Sequence, residues 1–203
     1  QLAIMPNTHP IIEHKADLKL FIKSSEGSTC KLLPIGAVTK GTKGEDFNEM
    51  WDLKSHGAVA FSDGSKTLWN ADIFLKTLLY LAPKGGLLVQ KPEEPTLAMY
   101  GQMHEGPQST VMGLKGIPSA SEEIMIQRDL TLLEYSGIQA ERPVLHFSCV
   151  STLEGLNLIK KGKIKDSDGD YIPDAVEDAV EDVKEFAEDV KETAAEVKKR
   201  AKA

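Results

Sequence analysis

The sequence predicts an α/β protein, with about five parallel strands, helices outside the sheet, and a long C-terminal amphipathic helix. Two observations predict it. From residue 1 to about 163, short apolar runs alternate with stretches of helical spacing, and a repeated strand-then-helix order argues for a parallel sheet with outer helices. After Lys165 the composition changes abruptly to a carboxylate-rich loop and a heptad-patterned segment.

The first apolar run is Leu2-Ala3-Ile4-Met5, followed at once by Pro6-Asn7-Thr8-His9-Pro10. Two prolines lacking a backbone N–H exclude strand or helix interior here, so this is a rigid polar turn between a strand and a helix. Such turns carry ligand contacts in α/β proteins, although stiffness alone also explains the prolines. The later strands fall at CKLLPIGAV, GAVAFSD, GGLLVQ and RPVLHFSCV. Helical spacing runs through HKADLKLFIKSS, EDFNEMWDLKSH, NADIFLKTLLYLA, SEEIMIQRDLTLLEYSG and LEGLNLIKKGK.

The 203 residues suffice for one domain, or one with an appendage. No apolar run is long enough to cross a membrane. Gln1 opens with neither a basic stretch nor an apolar leader, so no signal peptide is expected, and a strand starting at residue 2 suggests that upstream chain is absent. Residues 1–165 balance 18 acidic against 18 basic side chains, so the whole net charge of −7 lies in residues 166–203. No basic patch argues for nucleic acid. Cys30 and Cys149 sit in apolar, strand-like runs and read as buried reduced thiols, which fits a cytoplasmic setting.

Three regions follow: a main α/β unit over 1–163, an acidic loop over 164–177 and a helix over 175–203. In the loop Asp166, Asp168, Asp170 and Asp174 fall at relative positions 1, 3, 5 and 9, with Glu177 at 12. Alternating carboxylates suit calcium, and D-S-D-G-D-x-x-P-D resembles a single thrombospondin type 3-like loop more than an EF-hand, whose sixth position is Gly rather than Tyr171. The competing reading is an acidic helix start, with Asp174 as cap. In the helix, Val176, Val180, Val183, Ala187, Val190, Ala194, Val197 and Ala201 form a seam at heptad spacing. That seam could pair with another helix, lie on the main unit, or stand solvated.

Four motifs in order resemble the dihydroorotases of the amidohydrolase superfamily. MPNTHP (5–10) resembles their MPNT-x-P turn, and GAVAFSDG (57–64) their GAVAFSDDG strand. GLKGIPSASEEIMIQRDL (113–130) is similar to GLxGxPxxAEExxxxRDL, and VLHFSCVST (144–152) to the HIxHVST strand. The resemblance covers residues 1 to about 162. It implies part of a metal-dependent (β/α)8 barrel that opens a cyclic amide, dihydroorotate, in pyrimidine biosynthesis. Zinc would lower the pKa of a water and polarise the carbonyl, and a carboxylate would move the proton.

Carried over by position, the resemblance makes Asn7 a contact to the substrate carboxylate and Asp63 the metal-contacting carboxylate of its strand. Gln90 stands where the family has a metal histidine. Cys149 stands at the histidine of the later strand, where a thiolate could hold a soft metal. His146 reads as a packed strand residue and His104 as a loop residue. The His-x-His pair of the first barrel strand has no match here, nor has the final catalytic aspartate. The expectation is a dihydroorotase-like protein without hydrolase activity. The alternatives are an active zinc hydrolase whose ligands come from absent segments, and a calcium-dependent interaction module. Five strands of eight leave two bare sheet edges, so a second copy or a partner chain is expected to cover them, pyrimidine-pathway enzymes among the candidates.

Overall fold

The computed structural model describes residues 1–140 and 142–162. The acidic loop, its five candidate calcium ligands and the heptad helix lie outside the described residues. Nine elements carry the main unit. They are β1 (Leu2–Ile4), α1 (Lys15–Ser24), β2 (Leu32–Ala37), α2 (Met50–Ser55), β3 (Ala60–Ser62), α3 (Ala71–Leu81), β4 (Leu88–Gln90), and, further on, α6 (Ala120–Ser136) and β7 (Leu145–Phe147). Between β4 and α6 lie α4 (Pro95–Ala98), β5 (Met103–His104), α5 (Pro107–Met112) and β6 (Gly116–Ile117), and α7 (Leu153–Lys161) follows β7.

The main sheet runs β1-β2-β3-β4-β7, every pair parallel. This is the predicted parallel five-stranded sheet, consistent with part of a TIM-type barrel. The alternation along each strand divides its two faces. Phe61 pairs in register with Leu88, and both join a large apolar cluster with Leu18 of α1, Met50 and Leu53 of α2, Phe74 and Leu78 of α3, and Leu133 of α6. Ile35, Ala60 and Val89 form a much smaller cluster, on the opposite face by that alternation. Fully burying a side chain such as Leu78 or Phe61 contributes about 1.5–3 kcal/mol, so the helix-covered face dominates the packing.

Local signals account for the helices. Asn70 caps α3 by accepting from the N–H groups of Asp72 (3.0 Å) and Ile73 (3.4 Å). The buried stripe Ile73, Phe74, Thr77, Leu78 and Leu81 then follows at helical spacing.

Three expectations need correction. Both cysteines are exposed rather than buried, because β2 begins only at Leu32 and β7 ends at Phe147, leaving each thiol in a connection. His146 is exposed rather than packed: it lies opposite Val89 in the ladder, on the sheet face opposite the described helices. His104 belongs to the β5–β6 pair rather than to a loop, although its side chain is exposed.

Candidate functional site

The loops at the C-terminal ends of β1, β2 and β3 are tied together by side chains. Asn7 lies just past β1, beside the buried Pro6. Its amide Nδ2 donates to the Asp63 carbonyl (3.1 Å) and to Thr42 Oγ1 (3.3 Å), and its Oδ1 accepts from the Ser65 N–H (2.8 Å). Gly64 allows this approach: its φ is +68°, and a Cβ there would fall 1.6 Å from Asn7 Oδ1. The turn therefore presents a neutral amide whose donor and acceptor are both engaged by the chain.

Asp63 is 1% exposed. Its Oδ1 accepts from the N–H groups of Val38 (3.1 Å) and Thr39 (3.0 Å), and its Oδ2 from Thr39 Oγ1. Thr39 Oγ1 in turn accepts from the Gly44 N–H at 2.9 Å. Burial pushes the Asp63 carboxyl above its ordinary range, and the Thr39 and Val38 donors offset part of that rise. The carboxylate fastens the end of β2 to the end of β3.

Gln90 points to the side of Leu88 and Phe61, toward the helices. Its Oε1 accepts from the Leu68 N–H (3.2 Å), and its Nε2 donates to the Leu68 carbonyl (3.3 Å) and to Asp129 Oδ2 (3.1 Å). Asp129, on α6, is fully buried. Arg128 Nε donates to its Oδ1 at 2.8 Å, and Arg128 also reaches the carbonyls of Leu68 (2.8 Å) and Trp69 (2.6 Å). Burial raises the Asp129 carboxyl to about 6 against the pull of Arg128 and Gln90.

A cleft of about 210 Å³ opens beyond the ends of β4 and β7, lined among others by Lys91, Glu93, His104, Glu122, Cys149 and Thr152. Lys91 pairs with Glu93 at 2.9 Å. Cys149 has φ +59°, an uncommon conformation for a residue with a side chain. Glu122 of α6 forms one wall. Its two oxygens accept from the N–H and hydroxyl groups of Ser151 and Thr152, fixing the start of α7.

Metal-ligand geometry is a separate question. Among the described residues, no group of three or more His, Cys, Asp or Glu side chains stands where it could hold a metal ion. Asp63 has both oxygens committed to the chain, Gln90 is committed at both ends of its amide, and Cys149 lines the cleft. The described residues do not by themselves form a zinc site. Glu122, Arg128 and Asp129 stand in the 113–130 motif, but the sequence assigned them no role. The signal was present: Glu122, Met125, Ile126, Asp129 and Leu133 share the buried stripe of α6, and carboxylates on such a stripe require donors.

A family model described as dihydro-orotase-like matches residues 1–154. The dihydroorotase of Pelotomaculum thermopropionicum is 38% identical over 164 residues, covering 81% of this chain and 37% of the relative. That of Acetivibrio thermocellus is 41% identical over 163 residues, 80% of this chain and 37% of the relative. That of Desulfotalea psychrophila is 35% identical over 160 residues, 79% and 38%. The chain thus spans little more than a third of the length of these relatives.

Proposed function

The chain belongs to the dihydroorotase-like family, and from that premise we propose that, as it stands, it is a non-hydrolytic member of a pyrimidine-pathway family that opens a cyclic amide. The observation that carries the reading is the state of Gln90. At the position where the resemblance places an imidazole ligand, an amide faces the helix layer, held by Leu68 and Asp129. An amide is a poor zinc ligand beside imidazole, and Asp63 is likewise engaged by Val38 and Thr39.

In this reading Asn7 keeps the place of a substrate-carboxylate contact but spends its amide on the β3 loop. Cys149 and the cleft beside it are what remain of the mouth. The two free thiols fit a reducing, cytoplasmic setting. No helix among the described residues is long and apolar enough to cross a membrane.

The test is ring opening of dihydroorotate to carbamoyl aspartate by the purified 203-residue chain, with and without added zinc. The expected rate equals that of zinc in buffer. Turnover above that background, lost on Asp63→Ala, would overturn the proposal. A second reading draws on the length of the relatives: ligands supplied from segments outside this chain would complete a zinc hydrolase. It predicts turnover when those segments are added in trans or restored by fusion.

A further inference from the structure

The loop from Asp63 to Asn70 is fastened at three points by protein groups. At its start, the Asp63 carboxylate holds Val38 and Thr39. At its middle, the Ser65 N–H donates to Asn7 Oδ1. At its end, Leu68 and Trp69 are held by Gln90 of β4 and Arg128 of α6, with the buried Asp129 joining these two side chains. Arg128 is further fixed by lying 5.5 Å from the centre of the Phe74 ring of α3. Among the described residues, hydrogen bonds between protein groups tie these strand ends together.

We infer that Gln90, Asp129 and Arg128 form a metal-independent fastener that positions the β3–α3 loop, with Gln90 a positioning residue where the family resemblance expects a ligand. The inference rests on family membership for the comparison but not on the absence of hydrolysis. Each of its parts is complete: Gln90 satisfies both backbone groups of Leu68, and Asp129 satisfies Gln90 and Arg128. A half-paired network of this kind would be costly in a buried setting, whereas a complete one rigidifies its surroundings.

The test is amide hydrogen exchange on the whole chain, read at Leu68, whose N–H donates to Gln90 Oε1, with the amides of α3 as an internal control of global unfolding. Gln90→Met keeps the volume and removes the hydrogen bonds. Arg128→Met keeps the packing on Phe74 and removes the ties to Leu68, Trp69 and Asp129. Exchange at Leu68 should rise roughly tenfold or more in Gln90→Met, about the loss of one net hydrogen bond, and should also rise in Arg128→Met, with α3 unchanged. Neither zinc nor a chelator should alter the wild-type rate at Leu68. If Gln90→Met unfolds and α3 exchanges as well, Arg128→Met decides. Unchanged exchange at Leu68 in the folded variants overturns the inference, and so does slowing at Leu68 by zinc in the wild type. Turnover of dihydroorotate would overturn the non-hydrolytic reading and leave this fastener standing.

Discussion

A carboxylate can be buried only where donors meet it, and the two deepest ones here show different outcomes of that rule. Asp63 meets two backbone N–H groups and a hydroxyl. Asp63→Ala strands all three donors and is expected to cost about 2–4 kcal/mol, read as a lowered urea midpoint. Asp63→Asn keeps an acceptor and should cost less. Asp129 meets an arginine and an amide, yet burial still raises it to about 6, against about 3.9 in an unfolded chain. The folded state therefore holds this proton more tightly than the unfolded one. The contribution of Asp129 to stability is largest below about pH 4 and declines as pH rises through about 6. The stability of the wild type relative to Asp129→Asn should accordingly fall between pH 4 and pH 7 in a series of urea midpoints. A difference that stays flat would mean that Arg128 cancels the effect of burial. Asp63 was legible in the sequence because a family motif contains it. Asp129 also lies in a family motif, at its QRDL end, and on a helix's apolar stripe, but its partners Gln90 and Leu68 are set by tertiary packing that spacing cannot give.

At the scale of elements, period alone recovered the five strands of the main sheet and the helices α1, α2, α3, α6 and α7. Each lies within a longer apolar or helically spaced stretch of sequence, such as EDFNEMWDLKSH around α2, that shows the pattern even where the element itself is short. The excursion from 92 to 118 escaped the same reading because its pieces are too short to show a period: α4 and α5 have four and six residues, and β5 and β6 two each. The start of α7 illustrates how an element is anchored from outside itself. Thr152 caps it by accepting from the Gly155 N–H at 3.0 Å, while Glu122 of α6 accepts from the N–H groups of Ser151 and Thr152. A Cβ at Gly155 would fall 2.6 Å from both Glu122 Oε1 and Thr152 Oγ1. Gly155→Ala should thus raise helix propensity by about 1 kcal/mol and still destabilise the protein, by about 1–3 kcal/mol net. A lowered thermal midpoint that is additive with Glu122→Ala would argue against the clash. Strong non-additivity is expected, since both changes act on one set of contacts.

At the scale of the whole molecule, four motifs in register reported the family, and the match over residues 1–154 agrees with them. The motifs could not report what the sheet edges do. Among the described residues β1 pairs only with β2, and β7 only with β4. An unpaired strand presents a row of N–H and C=O groups that recruits other strands. On β1 the Leu2 N–H donates inward to the Lys31 carbonyl at 2.9 Å, so the alternate Ala3 N–H points to the free edge. We expect the 22.2 kDa chain to associate through these edges, with a sedimentation mass that rises with concentration. Ala3→Pro removes one outward donor without touching the β1–β2 ladder, and proline at a strand edge blocks pairing. It should shift the distribution toward the monomer while leaving the unfolding midpoint of the dilute protein nearly unchanged. If the wild type sediments as a monomer at every concentration, some other part of the same polypeptide covers the edges, and Ala3→Pro should then lower the unfolding midpoint instead. The direction of that one response separates pairing between chains from pairing within one.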